Sequence, residues 1–85
     1  MDWDKNTEEK FKQLIEKIPI FPRDIAKEKV SKTAAGLAEK ENRPHVTEKD
    51  LVNAFFEETP FGFHGPMKTD MAALGIDYTQ YGHDK

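Results

Sequence analysis

The sequence predicts an all-α fold, a compact three-helix domain over residues 1–58 with a short fourth helix in a C-terminal tail over residues 59–85. Two observations predict it. Apolar residues recur at helical spacing in three stretches, and prolines lie between those stretches. A third observation agrees, because an 85-residue chain without cysteine has no disulfide and needs well-packed helices or a partner for stability.

The first helix is predicted over residues 7–18. Asn6 is the expected N-cap, with Glu9 completing a capping box, and Pro19 is expected to end the helix at the preceding residue. Trp3 is expected to fold back onto the helices. One apolar stripe at positions i, i+3, i+4 and i+7 indicates the buried face, formed by Phe11, Leu14, Ile15 and Ile18.

The second helix is predicted over residues 22–40, with Pro22 at its first position, where a missing N–H costs nothing. Gly36 marks either a tight helix crossing or a tolerated surface position. The buried stripe consists mostly of small residues, which allow close approach of a neighbouring helix: Ala26, Val30, Thr33, Ala34, Leu37 and Ala38.

A connector over residues 41–46 is expected to place Val46 in the core and to lead into a third helix over residues 48–58. Thr47 is its predicted N-cap, and Asp50 puts an anion beside the free amides of the first turn. The third helix has a wide apolar face: Leu51, Val52, Ala54, Phe55 and Phe56.

In the tail, a segment rich in glycine, proline and phenylalanine over residues 61–66 indicates a loop. A short helix is predicted over residues 67–74. Pro66 starts it, Gly75 ends it, and Ile76 makes the apolar contact that accompanies such a C-cap. Residues 77–85 are expected to be extended or disordered.

Composition narrows the functional classes. The absence of cysteine removes thiolate zinc sites, cysteine-ligated clusters and thiol nucleophiles. The apolar runs are too short for a transmembrane helix or signal peptide, so the expected location is cytoplasmic and no membrane partner is expected. A net charge of −3 disfavours a dedicated nucleic-acid binder. No phosphate loop, nucleophile elbow or HExxH motif is present, so the isolated chain is not expected to be an enzyme.

The segment from Ile18 to Arg23 contains the most informative charge. Arg23 falls in the first turn of the second helix, where the helix dipole disfavours a cation, and Lys27 follows four residues later. One interpretation is an anion-binding site at Arg23 and Lys27, beside Phe21. The alternative is that Asp24 or Glu28 neutralises them in ordinary surface pairs.

Four phenylalanines form a second candidate site, an apolar surface for a macrocycle or a partner helix: Phe55, Phe56, Phe61 and Phe63. The alternative is that the fourth helix covers them with Met71 and Leu74. His64, inside this region, is the best ligand candidate among three histidines. His45 and His83 complete the set, but none has a partner at metal-site spacing. No metal site is predicted, and the favoured alternative for each histidine is a structural or solvent-exposed role.

Three features together resemble one known domain: the block Ile18-Pro19-Ile20-Phe21-Pro22-Arg23, a mixed-charge helix, and the block from Val46 to Leu51. It is the C-terminal domain of the B subunit of light-independent (dark-operative) protochlorophyllide reductase. The resemblance covers about residues 3–58. Pro22 stands where that family more often has valine, and the nitrogenase-like body of the subunit is missing.

The resemblance implies a stand-alone helical module that packs near a tetrapyrrole site and at a subunit interface. The expected partner is a protein of a redox or nitrogenase-like complex, and the candidate ligand is a tetrapyrrole or other anionic molecule, with no cofactor bound covalently. Two alternatives stay open. One is a nucleic-acid-binding protein similar to part of the histone fold, and the other is an accessory subunit or lid of a multi-subunit oxidoreductase.

Overall fold

The computed structural model describes residues 2–18 and 20–85, and the side chains of residues 2–18 and 23–85. The all-α class is confirmed, since four helices dominate the described residues. They are α1 (Lys5–Glu16), α2 (Ile20–Lys40), α3 (Glu48–Glu58) and α4 (His64–Ala73). A short 3-10 helix at Phe61–Phe63 joins α3 to α4, and a second one at Tyr78–Tyr81 follows α4. None of these described helices has both the length and the apolar character needed to cross a membrane.

Helix α1 begins two residues before the predicted start, because Asp4 and not Asn6 is its N-cap. The Asp4 carboxylate accepts hydrogen bonds from the Thr7 N–H at 3.2 Å and the Thr7 hydroxyl at 3.1 Å. The Asp4 N–H itself donates to the Val46 carbonyl at 3.0 Å. This last bond belongs to a contact with a distant segment, which a local capping pattern cannot reveal.

That contact continues as a pair of two-residue parallel strands, β1 (Asp2–Trp3) and β2 (His45–Val46). Trp3 lies opposite Val46 in the register. The Trp3 ring stacks on Phe11 with 4.8 Å between the ring centroids. The prediction that Trp3 folds back onto the helices is therefore confirmed, and the strand pair explains how it is held there.

Helix α2 begins at Ile20, two residues before the predicted start, so that Pro22 still lies in the first turn, where helix N–H groups have no intrahelical acceptor. Of its predicted stripe, Val30, Ala34 and Ala38 are buried, and the other three members are half-buried: Ala26, Thr33 and Leu37. Gly36 is exposed and a Cβ there would meet nothing within 4 Å, so it is a tolerated surface glycine.

The C-terminus of α2 is closed by Asn42, which adopts a left-handed conformation with φ of 56°. The Asn42 N–H donates to the Glu39 carbonyl and the Arg43 N–H to the Ala38 carbonyl, both at 3.0 Å. This is a Schellman motif. It turns the chain so that Arg43 reaches α3.

Helix α3 has the predicted bounds and the predicted capping box. Asp50 accepts from the Thr47 N–H at 2.9 Å and the Thr47 hydroxyl at 3.1 Å. Arg43 adds an ion pair to the same carboxylate and a second one to Glu41 at 2.9 Å. The hydrogen bonds and charges of this network lower the pKa of Glu41 and raise the already high pKa of Arg43.

The tail packs onto the same core as the three-helix part. Met67, Met71 and Ile76 are buried. The Gly75 N–H donates to Ala72 at 3.0 Å and the Ile76 N–H to Met71 at 2.9 Å, which confirms the C-cap predicted at Gly75. The prediction that residues 77–85 are extended or disordered is wrong for residues 78–81, which form a 3-10 helix against α3.

Candidate functional site

An apolar cleft of about 490 Å³ lies between the end of α1, the first half of α2, the end of α3 and α4. We call it the apolar cleft. Lys17, Glu58 and Asp70 contribute its charged groups. Its apolar surface comes from side chains on five segments: Leu14, Ile18, Ala26, Phe55, Phe63 and Met67.

One wall of this cleft depends on where α3 stops. The helix ends at Glu58, and the Thr59 N–H donates to the Phe55 carbonyl at 3.0 Å. Pro60 has no N–H to continue the ladder, and the chain turns through the 3-10 helix Phe61–Phe63. His64 fixes this turn by donating from Nε2 to the Thr59 carbonyl at 2.8 Å. The turn leaves Phe63 at the cleft.

The four phenylalanines of the predicted patch separate into three environments. Phe55 is 4% exposed and belongs to the core, with one face on the apolar cleft. Phe56 is half-buried. Phe61 is 88% exposed and Phe63 is 65% exposed. Met71 is buried and Leu74 packs against the core. The alternative of a covered patch therefore describes Phe55 and partly Phe56, and the alternative of an exposed apolar surface describes Phe61 and Phe63.

Arg23 is half-buried and forms no ion pair with Asp24 or Glu28 in the part of the chain that the structure describes. Its guanidinium donates from Nε and Nη2 to the Ile18 carbonyl at 3.1 and 2.8 Å, and from Nη2 to the Glu16 carbonyl at 3.1 Å. Helix α1 has no basic residue in its last turn. Arg23 therefore supplies the cation that stabilises the C-terminus of α1.

Lys27 has different surroundings from Arg23. It lines a second, smaller cleft of about 230 Å³ between α1 and α2, which we call the Trp3 cleft. Trp3, Phe11 and Lys12 are among the other residues that line it. The remaining predicted site residue, Phe21, has a side chain outside the described residues, and its role stays a prediction.

A cluster of aromatic rings joins the tail to α3. The His83 ring stacks on Phe56 at 3.8 Å between centroids with 5° between the planes. His64 meets the same Phe56 edge-on at 5.1 Å, and Tyr78 lies 5.8 Å from it. His83 Nε2 is 2.6 Å from the Asn53 side-chain oxygen, which requires the proton on Nε2. His83 thus fastens the tail to α3 by donating from Nε2 to Asn53.

The pKa of His83 is lowered, first by burial and then by the positive charges of His64 and Lys68, while Asp84 opposes the shift. The unfolded chain therefore takes up a proton at His83 before the folded chain does. We expect the free energy of unfolding to fall as the pH drops from about 6.5 toward the lower folded pKa. Urea unfolding across this range measures it.

The matched control for this prediction is His83→Gln, which removes the titrating group while leaving an amide beside Asn53. We expect its stability to depend less on pH over the same range. An unchanged pH dependence in His83→Gln would show that another group is responsible. NMR titration of the His83 ring provides a direct measurement of the shift.

Glu48 connects three segments at the first turn of α3. Its carboxylate forms an ion pair with Lys10 of α1 and accepts a hydrogen bond from the Tyr81 hydroxyl at 2.6 Å. Burial and the hydrogen bond to Glu48 raise the pKa of Tyr81 to about 12. Sequence reasoning missed the roles of Glu48 and Tyr81, and it considered His83 without finding its partner Asn53. The local signal was the presence of the aromatic rings of Tyr81 and His83 in a mostly polar tail. Their partners, Glu48 and Asn53, lie 30 or more positions away along the chain.

Among the described residues, no group of three histidine, aspartate or glutamate side chains is placed to hold a metal ion. Glu41 with Arg43, and Tyr81 with Glu48, are titratable groups with a shifted pKa whose partners join separate segments or close a helix end. The lining of the apolar cleft is mostly apolar, with Lys17, Glu58 and Asp70 as its charged groups. The cleft is therefore suited to binding through apolar contacts with a few charges beside them.

Comparison with known proteins gives a family match over nearly the whole chain. The family model described as protein of unknown function (DUF2621) matches residues 1–84. No curated protein and no solved structure matches the chain significantly. Because the match includes α1 to α4 and the tail, the two clefts both lie within it. The chain belongs to the DUF2621 family.

Proposed function

We propose that this chain is a small non-catalytic helical module that binds a protein partner through the apolar cleft. The observation that carries the proposal is the cleft itself, with Phe63 65% exposed beside it and Phe61 88% exposed next to it. Apolar side chains of this size, exposed next to a concave apolar surface, are typical of interaction sites.

The occupant that fits best is an amphipathic helix of the partner with basic residues flanking its apolar face. Helices dock in apolar grooves through side chains one turn apart. The charged groups of the cleft are Glu58 and Asp70 against Lys17, so they favour a cationic partner segment. Such complementarity increases the association rate and selects among partners.

The resemblance to the protochlorophyllide reductase domain suggests the class of complex, a redox or tetrapyrrole-related one, and a cytoplasmic location is part of the same proposal. A tetrapyrrole is the second candidate occupant. The cleft volume of about 490 Å³ is in the range of small-molecule sites. Lys17 offers a cation for an acidic substituent, and no histidine lines the cleft among the described residues, so apolar contacts would hold the pigment.

The two other functions suggested by the sequence have less support. A histone-like role in nucleic-acid binding requires a basic surface, whereas the net charge is −3 and the cleft contains two carboxylates. A role as an accessory subunit or lid of an oxidoreductase uses the same apolar surface as the main proposal, and identification of the partner would separate the two.

The proposal is tested with a synthetic helical peptide that has leucines along one face and lysines at both ends, and binding is followed by fluorescence polarisation. We expect the variant Phe63→Ser/Asp70→Lys to weaken binding about tenfold or more. Ile25→Ser is the matched control, because Ile25 is 57% exposed but does not line the cleft. Equal losses in the two variants, or no loss in the first, would contradict the proposal.

The second candidate is tested in parallel by titrating protochlorophyllide and following its absorbance. Ala26→Phe fills part of the cleft from α2 and is expected to abolish a specific pigment complex. Pigment binding that Ala26→Phe removes, without peptide binding, would favour the tetrapyrrole over the partner helix. Pigment binding that Ala26→Phe leaves unchanged would place the pigment elsewhere.

A further inference from the structure

The Trp3 cleft combines an aromatic surface with two cations from different helices. On α1, Phe11 and Lys12 lie one turn after Glu8, and on α2, Ser31 lies one turn after Lys27. All of these residues line the cleft together with Trp3. The cleft shares no lining residue with the apolar cleft.

The two lysines have no carboxylate partner within ion-pair distance in the part of the chain that the structure describes. Among the described residues, Glu8 is the single acidic one that lines the cleft. The local charge is therefore positive in a chain whose net charge is −3. Two ammonium groups beside one small cleft repel each other, and an anion between them removes that repulsion.

The aromatic surface is formed by the half-buried Trp3 ring, which stacks on Phe11 with 27° between the ring planes. A flat ligand ring gains contact area and a stacking interaction on such a surface. The volume of about 230 Å³ is below the usual range for drug-sized ligands. The cleft therefore suits one or two fused rings with a single acidic group.

We propose that the Trp3 cleft binds a small aromatic carboxylate, whose ring lies against Trp3 and whose carboxylate lies between Lys12 and Lys27. The Ser31 hydroxyl donates its only proton to the Lys27 carbonyl at 2.7 Å, so Ser31 lines the cleft and the two lysines supply the donors for the carboxylate. Glu8 opposes the anion and limits the affinity. This site assigns Lys27 to anion binding with Lys12 and leaves Arg23 to the end of α1.

The test uses 2-naphthoate and the full ¹⁵N-labelled chain, followed by two-dimensional NMR. Trp3 is the only tryptophan, so its indole N–H gives an unambiguous signal. We expect saturable shifts at this N–H and at the amides of Lys12, Lys27 and Ser31. We expect Lys12→Gln/Lys27→Gln to weaken binding about tenfold, the combined effect of two exposed ion pairs, and Glu8→Gln to strengthen it.

The matched control is Lys29→Gln/Lys32→Gln, which removes the same charge from residues of α2 that do not line the cleft. It is expected to bind 2-naphthoate like the unmodified chain. The neutral analogue 2-naphthamide is expected to bind much more weakly. Equal binding of acid and amide, equal losses in the two lysine variants, or shifts confined to Ile18, Phe63 and Met67 would overturn the proposal. None of these outcomes depends on partner binding at the apolar cleft.

Discussion

Replacing Phe55 with alanine is expected to lower the free energy of unfolding by about 3–5 kcal/mol, the usual cost of removing a buried aromatic side chain. Phe55 is 4% exposed and meets Phe11 edge-on at 6.2 Å between ring centroids. Its loss removes packing from α1, which rests on α3 through this contact. A small domain has only about 5–15 kcal/mol of total stability, so urea unfolding should show a large shift of the midpoint.

Phe61→Ala is the matched control in the same predicted patch. Phe61 is 88% exposed, and its ring centroid lies 5.5 Å from that of the tilted His64 ring. We expect its stability to stay within about 0.5 kcal/mol of the unmodified chain, as is usual for surface substitutions. Similar losses for Phe55→Ala and Phe61→Ala would mean that the loop, and not α3 alone, contributes to the core.

Asp50→Ala is expected to lower the free energy of unfolding by about 3 kcal/mol, because it removes one partner of a buried charge pair. The Asp50 side chain is 1% exposed. Its loss leaves the Arg43 guanidinium without its buried partner and the Thr47 N–H without its acceptor. Arg43 keeps Glu41 and some contact with water, which holds the cost near the lower limit for buried pairs. Urea unfolding measures it.

Glu41→Gln is the control, because it removes the exposed partner of the same arginine. Its effect is expected to be small, since surface ion pairs contribute little. A loss in Asp50→Ala of only about 1 kcal/mol, the usual effect of a helix cap, would mean that Asp50 acts as a cap and that its ion pair with Arg43 adds nothing.

The local patterns in the sequence were sufficient wherever one helix face or one cap explains the structure. Helix α3 has its predicted bounds because Thr47 and Asp50 define its start and Pro60 follows its end. The Gly75 cap was likewise predicted, since Gly75 has φ of 75° and Ile76 is buried beside it. In these cases the interacting groups lie within five positions of one another.

The candidate site was harder to predict, because its parts come from separate segments. Phe55 and Phe63 were both assigned to an apolar surface, and both line the apolar cleft. The pattern of phenylalanines could not show which would be buried, since Phe55 and Phe56 are neighbours on one helix and differ only in what packs against them. Phe55 is buried against Phe11 of α1, whereas Phe56 is half-buried against the rings of His83 and Tyr78. The second environment depends on the fold of the tail.

The segment that contains Arg23 shows the same limit. The helix dipole correctly indicates that a cation at the start of α2 needs a negative partner, but the sequence suggested only an external anion or a neighbouring carboxylate. The partners are carbonyl oxygens at the end of α1. Because these acceptors are backbone groups, a pattern of side-chain types does not indicate them.

By itself, the sequence determined which segments are helical, the core of each buried stripe and the caps at Thr47 and Gly75, because each depends on spacing within a turn or two. Tertiary structure alone decided which cations remain free, which aromatic rings are exposed and where the tail lies. Three contacts join residues that are 30 or more positions apart: Glu48 with Lys10, Glu48 with Tyr81, and His83 with Asn53. Such contacts form only after the helices have packed, since their geometry is set by the distance between elements and not by the local chain.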